Sequence, residues 1–451
     1  MSQQQVDLDI LIEEVRAALA EGNWRRAVAL IEALRPPDQA ELFSELPPEE
    51  QDVLLPRLDV EDSADILEEL EDAEAARIAS RLEARDLARI LDEMEPDEAA
   101  DLLGDLAPEQ AIQALASMTE VEEVGPLLAY PDDSAGGRMV PPPVVLRQDM
   151  TAEEAIAHLR AVAPDSETAY YLFVVDEGNR LVGVVSLRQL IVAPPWRRIR
   201  EIMDPHVIHI HARADQEEAA RLMARYGLLA LPVVDDEGRL LGMITHDDLV
   251  GVLEEETTED IYRLSASEPL DMPYVDTPIL TMFRKRVGWL LLLFVTETLT
   301  GTVLRYFEKE LSEAIALTFF VPLLIGTGGN AGGQVSSAIV RALALGEIRF
   351  RDIAMVVWRE IRTALLLGMV MGVAGFIRAM TWHSPPLLSL TVGTTLCAIV
   401  LWAALIGAIL PLIAHRLRID PAVVSGPAMT TLVDATGLVI YFLIARAIMG
   451  L

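Results

Sequence analysis

Through the first 130 positions, apolar residues return at a spacing that predicts a stack of short helices. Ile66, Ile78, Ile90 and Leu102 lie twelve positions apart, each inside a run with one apolar face: DSADILEEL, EAARIASRL, RDLARILDEM and DEAADLLGDL. Little β-branched alternation interrupts them. Between the runs come short breaks such as EPDE and APEQ. Pro96 and Pro108 there suit the first turn of a new helix, where an amide hydrogen would lack a partner anyway. Helices this short bury their apolar faces only against neighbours, so the pattern predicts a small solenoid.

From about Ala135 to Ile261 the pattern changes, and it repeats once. MVPPPVVLRQDMTAEEAIAHL returns as MDPHVIHIHARADQEEAARLM, and LFVVDEGNRLVGVVSLRQL returns as LPVVDDEGRLLGMITHDDL. Each copy predicts a short strand, an amphipathic helix, a hairpin with an acidic glycine-containing turn, and a second helix. The doubled unit resembles a tandem pair of CBS domains.

Past Arg284 five apolar segments follow, at roughly 286–306, 314–341, 353–379, 387–413 and 421–449. At about 1.5 Å per residue each is long enough to cross about 30 Å of hydrocarbon. Arg284, Lys285 and Arg286 precede the first, and Arg341, Arg349 and Arg351 lie between the second and third. Arg416 and Arg418 lie between the fourth and fifth, whereas the opposite loops carry mainly Arg305, Lys309 and Arg378. Basic loops stay on the side of synthesis, so the amino-terminal part is expected in the cytoplasm and the carboxyl terminus outside a cell membrane. The fold class expected is multidomain. An all-α superhelical domain (1–130) precedes an α+β tandem pair (131–245), a connecting helix and linker (246–283), and a transmembrane bundle of five helices (284–451).

Charge divides the chain in the same place. Of 36 basic and 70 acidic residues, 14 and 9 lie from Arg284 onward, leaving 22 and 61 in the first 283. A surface that acidic repels nucleic-acid phosphates and anionic lipid headgroups, and it favours divalent cations. The single cysteine, Cys397, excludes an internal disulfide. MSQQQVDLDILIEEV has no basic start followed by an apolar stretch, so no signal peptide is expected. No phosphate-binding loop, nucleophile elbow or zinc-hydrolase motif points to an enzyme.

Within the apolar segments, polar residues stand out. VPLLIGTGGNAGGQ (321–334) places glycines where backbones approach closely, with Asn330 and Gln334 four apart on one helical face. Asp434 is the only acidic residue between Pro421 and Leu451, near mid-membrane, where a carboxylate is costly enough to imply a task. Ala428, Thr430 and Thr431 lie near it, and Gly426 and Pro427 are suited to loosen the helix and free carbonyls. Glu297, half-way along the first segment, is a second such carboxylate with no evident role. Glu254, Glu255, Glu256, Glu259 and Asp260 crowd one helix, where like charges four apart repel unless a cation joins them. His206, His209 and His211 share a short segment and are expected on a solvated strand.

Taken in order, an acidic helical domain, a CBS pair and five spans resemble the MgtE family of magnesium transporters. DDSAGGRM (132–139), TTEDIYRL (257–264), PLLIGTGGNAGGQ (322–334), DPAVVSGP (420–427) and TTLVDATG (430–437) carry the likeness. It implies a homodimer passing hydrated Mg²⁺ along a two-fold axis lined by the second and fifth spans. Asp434 would meet the ion, and Ala428, Thr430, Thr431 and Asn330 would accompany it. It also implies regulatory Mg²⁺ sites at Asp97, Asp101, Asp215, Glu217, Asp248, Glu256 and Glu259, with Asp420 at the pore mouth. The helix from His246 past Leu264 would act as a plug, closing the pore when cytoplasmic Mg²⁺ is plentiful. The chain departs from the family at Gly227 and Gly251, where acids can stand. CBS pairs often bind adenosine nucleotides through an Asp three residues after Thr or Ser. Thr245 and Asp248 keep that spacing, with Arg188 a further candidate for ATP, but Ser186 is followed by Gln189. A secondary exchanger coupling Mg²⁺ to Na⁺ or H⁺, broader transport of Mn²⁺ or Co²⁺, and a membrane-anchored CBS adaptor are the alternatives.

Overall fold

The computed structural model describes residues 3–142, 144–162, 171–270, 274–275 and 277–451. The side chains of residues 3–9, Leu249, Glu254 and Pro427 lie outside the described residues. The chain forms two compact units, one running to Glu255 and the other comprising Glu256–Leu270 and Thr277–Leu451.

The first unit begins with the expected stack. Helices Val60–Glu68, Asp72–Ala79, Ala84–Leu91 and Pro96–Asp105 carry Ile66, Ile78, Ile90 and Leu102, and all four side chains are buried in one core. Pro96 and Pro108 open their helices at the first turn. The 12-residue spacing thus reports one helix and one turn per step.

The repeated segment folds into two three-stranded sheets of the same order. β1 (Val145–Arg147) pairs parallel with β2 (Tyr171–Val175), which pairs antiparallel with β3 (Leu181–Ser186). β4 (Ile210–His211), β5 (Ala230–Val234) and β6 (Leu240–Thr245) repeat that arrangement. The acidic hairpin turns are built alike. Asp176 Oδ1 accepts from the amides of Gly178 and Arg180 at 2.8 and 2.9 Å, and Asp235 Oδ1 accepts from Glu237 and Arg239 at 3.0 and 2.8 Å. Asn179 and Gly238, at φ of 62° and 75°, supply the left-handed residue these turns need. The hairpins also clasp each other. Leu181 N donates to Gly238 O at 3.0 Å and Leu240 N to Asn179 O at 2.9 Å, a reciprocal pairing that gives the repeat its approximate two-fold symmetry.

The second unit holds five helical segments long and apolar enough to cross a membrane: Ile279–Tyr306, Ile315–Ala344, Phe350–Thr381, Pro386–Arg416 and Pro421–Met449. The second, fourth and fifth pack through small residues. A Cβ on Gly332 would stand 2.5 Å from Met429 Sδ, one on Gly328 2.8 Å from Ile399, and one on Gly407 2.6 Å from the carbonyl oxygen of Gly332. The glycine-rich stretch does not act as one surface, however. Gly326 has nothing within 4 Å, and Gly329 and Gly333 make only ordinary contacts at 3.6 and 3.9 Å. Two of its five glycines therefore serve close packing, and the other three line the opposite side.

Candidate functional site

Carboxylates gather in the first unit around the start of helix Pro96–Asp105. Glu68, Glu95, Asp97, Glu98, Asp247, Asp248 and Glu255 line a cavity of about 270 Å³ with a single basic side chain, Arg138. Asp97 is 3% exposed, and its Oδ1 has no hydrogen-bond partner. Burial and the neighbouring Asp248 push Asp97 up to about 7. Burial, Asp97 and Asp101 push Glu98 up to about 8, and burial does the same for Asp101 against the opposing pull of Arg138. Asp248 is also raised, by burial, although its Oδ2 accepts from Thr245 Oγ1 at 2.6 Å and Thr245 N at 3.1 Å. With Asp97 Oδ1 unpartnered, the crowd lines the cavity with hard oxygen atoms and net negative charge.

Arg138, from the DDSAGGRM motif, is the cation this crowd holds. It donates to both Glu255 oxygens at 2.9 and 2.7 Å and to Gln216 Oε1 at 3.1 Å, and it stands 3.7 Å from Asp101. Glu95, Glu98 and Arg138 do not appear among the sites expected from the sequence. The run EPDEAAD around Asp97 was the available signal for the first two. Asp101 reaches the cavity through Arg138, whereas Asp215 caps helix Gln216–Tyr226 by accepting from Glu217 N at 2.9 Å. Glu217 pairs with Arg221. Of the two departures noted in the sequence, Gly227 closes that same helix at φ 62°, a left-handed position where an acid would be strained. Gly251 lines the acidic cavity.

The nucleotide candidates do not come together. Arg188 lines a separate cavity of about 410 Å³ with Tyr171, Ser186, Leu187, Ile191, Val192 and Leu229. Thr245 and Asp248 spend their spacing on the hydrogen bonds that start helix His246–Leu264. In the first repeat, Ser186 and Gln189 form a capping box, so Gln189 does the same structural work without a charge. The histidines do not converge either. His211 Nε2 meets Asp236 at 2.9 Å, His209 Nδ1 meets Val207 O at 3.1 Å, and His206 is exposed.

In the second unit, Glu259 and Asp420 share the guanidinium of Arg263. Burial and Asp420 together raise Asp260. Glu256, on the same helix, is half-buried. Asp420 also caps helix Pro421–Ser425, accepting from Ala422 N at 2.7 Å. The fifth span breaks at Gly426, as expected, but the carbonyls there are not free. Thr430 Oγ1 donates to Gly426 O at 2.9 Å, Ser336 Oγ to Ser425 O at 3.2 Å, and Ser425 Oγ to Pro421 O. Hydroxyls from the same and the neighbouring helix reach them first.

Asp434 is 8% exposed, and its Oδ1 is buried without a partner. One turn earlier on its helix, Thr430 and Thr431 line a cavity of about 620 Å³. Gly333 and Ser337 of the second span and Glu297 of the first also line it, and Leu264, Ser265 and Ala266 bound it at the end of the connecting helix. Ala428 and Asn330 are exposed and line no part of it.

Three family models match along the chain: the MgtE intracellular N domain over residues 34–133, the CBS domain over 135–195 and 199–255, and MgtE, a divalent cation transporter, over 321–444. Magnesium transporter MgtE of Thermus thermophilus is 46% identical over 327 residues, 72% of each chain. The protein of the same name from Bacillus subtilis is 37% identical over 329 residues, 73% of this chain and 72% of that one. Among solved structures, the cytosolic domain of the Mg²⁺ channel MgtE in complex with ATP matches with a TM-score of 0.51 at 41% identity. It covers 53% of this chain and 99% of that one. With the stacked helices, the paired sheets and the five apolar helices in this order, the chain belongs to the MgtE family of divalent cation transporters.

Proposed function

We propose that this protein is a homodimeric Mg²⁺ channel that passes the hydrated ion down its gradient and is closed by cytoplasmic Mg²⁺. The observation that carries the reading is Asp434, a carboxylate nine-tenths buried in a membrane-length apolar helix with one oxygen unsatisfied. Such a group is costly unless it meets a cation, and Mg²⁺ keeps its water shell tightly, so the carboxylate meets water hydrogens rather than the bare ion. Two copies across a dimer axis repel each other and favour a dication between them. The magnesium transporters and the Mg²⁺ channel among the relatives supply the choice of ion.

Closure rests on the acidic cavity. Asp97 and Asp248 hold Mg²⁺ there, with Glu95 and Glu98 adding charge. Asp101, Asp215, Glu217, Glu256, Glu259 and Asp420 serve further regulatory positions. Each ion favours the closed state only through its difference in affinity, typically about 1–3 kcal/mol, so several together give a steep response. The cavity at Arg188 takes an adenosine nucleotide, in line with the ATP complex of the structural relative. The amino-terminal unit is cytoplasmic and the carboxyl terminus outside.

The test is Mg²⁺ uptake by liposomes carrying the purified protein, with and without opposing Na⁺ and H⁺ gradients, beside limited proteolysis across a Mg²⁺ titration. Uptake independent of those gradients, falling as proteolytic protection rises, is the expected result. Uptake that requires a counter-gradient makes the protein an exchanger. Uptake that stays constant through the protective range removes the feedback.

A further inference from the structure

The membrane unit contains a second carboxylate whose placement is as demanding as that of Asp434. Glu297 lies eleven residues after Arg286 and nine before Tyr306, about 16 and 14 Å along the first span, and so near mid-membrane. It makes no hydrogen bond or ion pair among the described residues, and its side chain is exposed in the single chain. At that depth hydrocarbon excludes it, and such residues face a bundle interior or an aqueous cavity.

The cavity is present. Leu290, Leu293, Phe294 and Glu297, at helical spacings of three, four and seven, form one face of the first span and line the space of about 620 Å³ described above. Across it stand Ser337 and Thr431, whose hydroxyls suit a water shell, and Gly333, whose missing side chain leaves room. A dication with six waters, at about 2.1 Å metal to oxygen and with a water radius of about 1.4 Å, occupies roughly 180 Å³. The space admits it with its shell intact. Asp434, nine-tenths buried with an unpartnered oxygen, follows Thr431 of the cavity wall by three residues on the same helix. Two carboxylates in a poorly polarisable setting favour a cation between them.

We propose that Glu297 is a cation-binding carboxylate of the conduction path, holding a hydrated divalent cation in the cavity between Asp434 and the end of the connecting helix. The proposal rests on Asp434 marking that path and adds a second station to it. Thr431 and Ser337 orient the water shell, and Glu297 supplies the charge that draws the ion onward from Asp434. The first span then contributes to selectivity alongside the second and fifth.

Purified full-length protein in liposomes tests this through initial Mg²⁺ uptake over a wide concentration range, with Na⁺ uptake beside it. Glu297→Gln keeps the shape and removes the charge. It is expected to raise the half-saturating Mg²⁺ about tenfold and to lower the preference for Mg²⁺ over Na⁺, with an unchanged unfolding midpoint. Glu297→Asp is expected to stay within about twofold of the unsubstituted protein. Unchanged half-saturation and selectivity in a folded Glu297→Gln protein would falsify the proposal. So would a lowered unfolding midpoint with unchanged half-saturation, which marks a packing role. If the unsubstituted protein passes no Mg²⁺, the channel reading falls first and takes this one with it.

Discussion

The two units place carboxylates by opposite rules. In the first, Glu68, Glu95, Asp97, Glu98, Asp248 and Glu255 share one cavity, and their crowding is relieved by Arg138. In the membrane unit, Asp434 stands alone in its span and Glu297 alone in its own. A crowd spreads its function over many members, so losing one shifts a balance by degrees. A buried charge alone in its span, as Asp434 is, has no neighbour on its helix to replace it, so its loss is the severest in the membrane unit, whereas the exposed Glu297 acts by degrees. In both units an arginine already sits among the acids, Arg138 in one and Arg263 in the other.

That contrast can be broken most directly at Asp434. Asp434→Asn is expected to lower Mg²⁺ flux by more than about a hundredfold while the protein stays folded, because Glu297, exposed to a wide cavity, does not replace a buried charge at the position of Asp434. Near-normal uptake by the folded variant would remove the asymmetry between the units. The packing beneath that site comes next. In Gly407→Ala the new methyl meets the Gly332 carbonyl at 2.6 Å, a backbone atom that cannot swing aside. The cost is expected at about 1–3 kcal/mol, read as a lowered unfolding midpoint in detergent; an unchanged midpoint would show that the fourth span gives way easily.

The crowd sharpens the comparison through pH. Asp97 near 7 and Glu98 and Asp101 near 8 exceed ordinary carboxylate values, so the folded unit binds more protons than the unfolded chain between about pH 4 and 8. The stability associated with these groups is therefore present below about pH 4 and is lost as pH rises through 7 to 8. Without Mg²⁺ the unfolding midpoint should fall over that window. Mg²⁺ should restore it and release protons in weakly buffered solution at pH 7, with less release from Asp97→Asn. Proton release equal in the two proteins would take Asp97 out of the cation site. The smallest effect is expected at the histidines. His209→Ala with His211→Ala should leave flux unchanged and stability within about 0.5 kcal/mol, since neither contributes to a cavity or a core.

Spacing and run length made the architecture legible: the four buried positions from Ile66 to Leu102 and the twin hairpins follow from the spacing of apolar residues, and the five spans from the length of apolar runs. The five-membered glycine stretch was less so. Spacing marks which glycines share a face, but only the neighbouring helix decides that Gly328 and Gly332 are pressed and Gly326 is not. The acidic site was half legible. Motif likeness led to Asp97 and Asp248, yet Arg138 meets Glu255 across 117 positions of chain, and no local pattern announces such a pair. Thr245 and Asp248 show the converse case. A spacing that suits a ribose equally suits a helix start, and the structure uses it for the second.

The interruption at Gly426 turns the fifth span into a lever. Its short arm, Pro421–Ser425, is tied down by the Asp420 cap and by Arg263, and its long arm carries Asp434 eight residues beyond the pivot. At about 1.5 Å per residue that arm is about 12 Å long, so a swing of about ten degrees carries the carboxylate about 2 Å, most of a water molecule's width. The pivot is glycine because the carbonyl of Leu264, at the end of the connecting helix, lies 2.3 Å from where a Cβ would be. A change in the angle between the two arms, made where Leu264 meets Gly426, is therefore read out as a displacement of the Asp434 carboxylate.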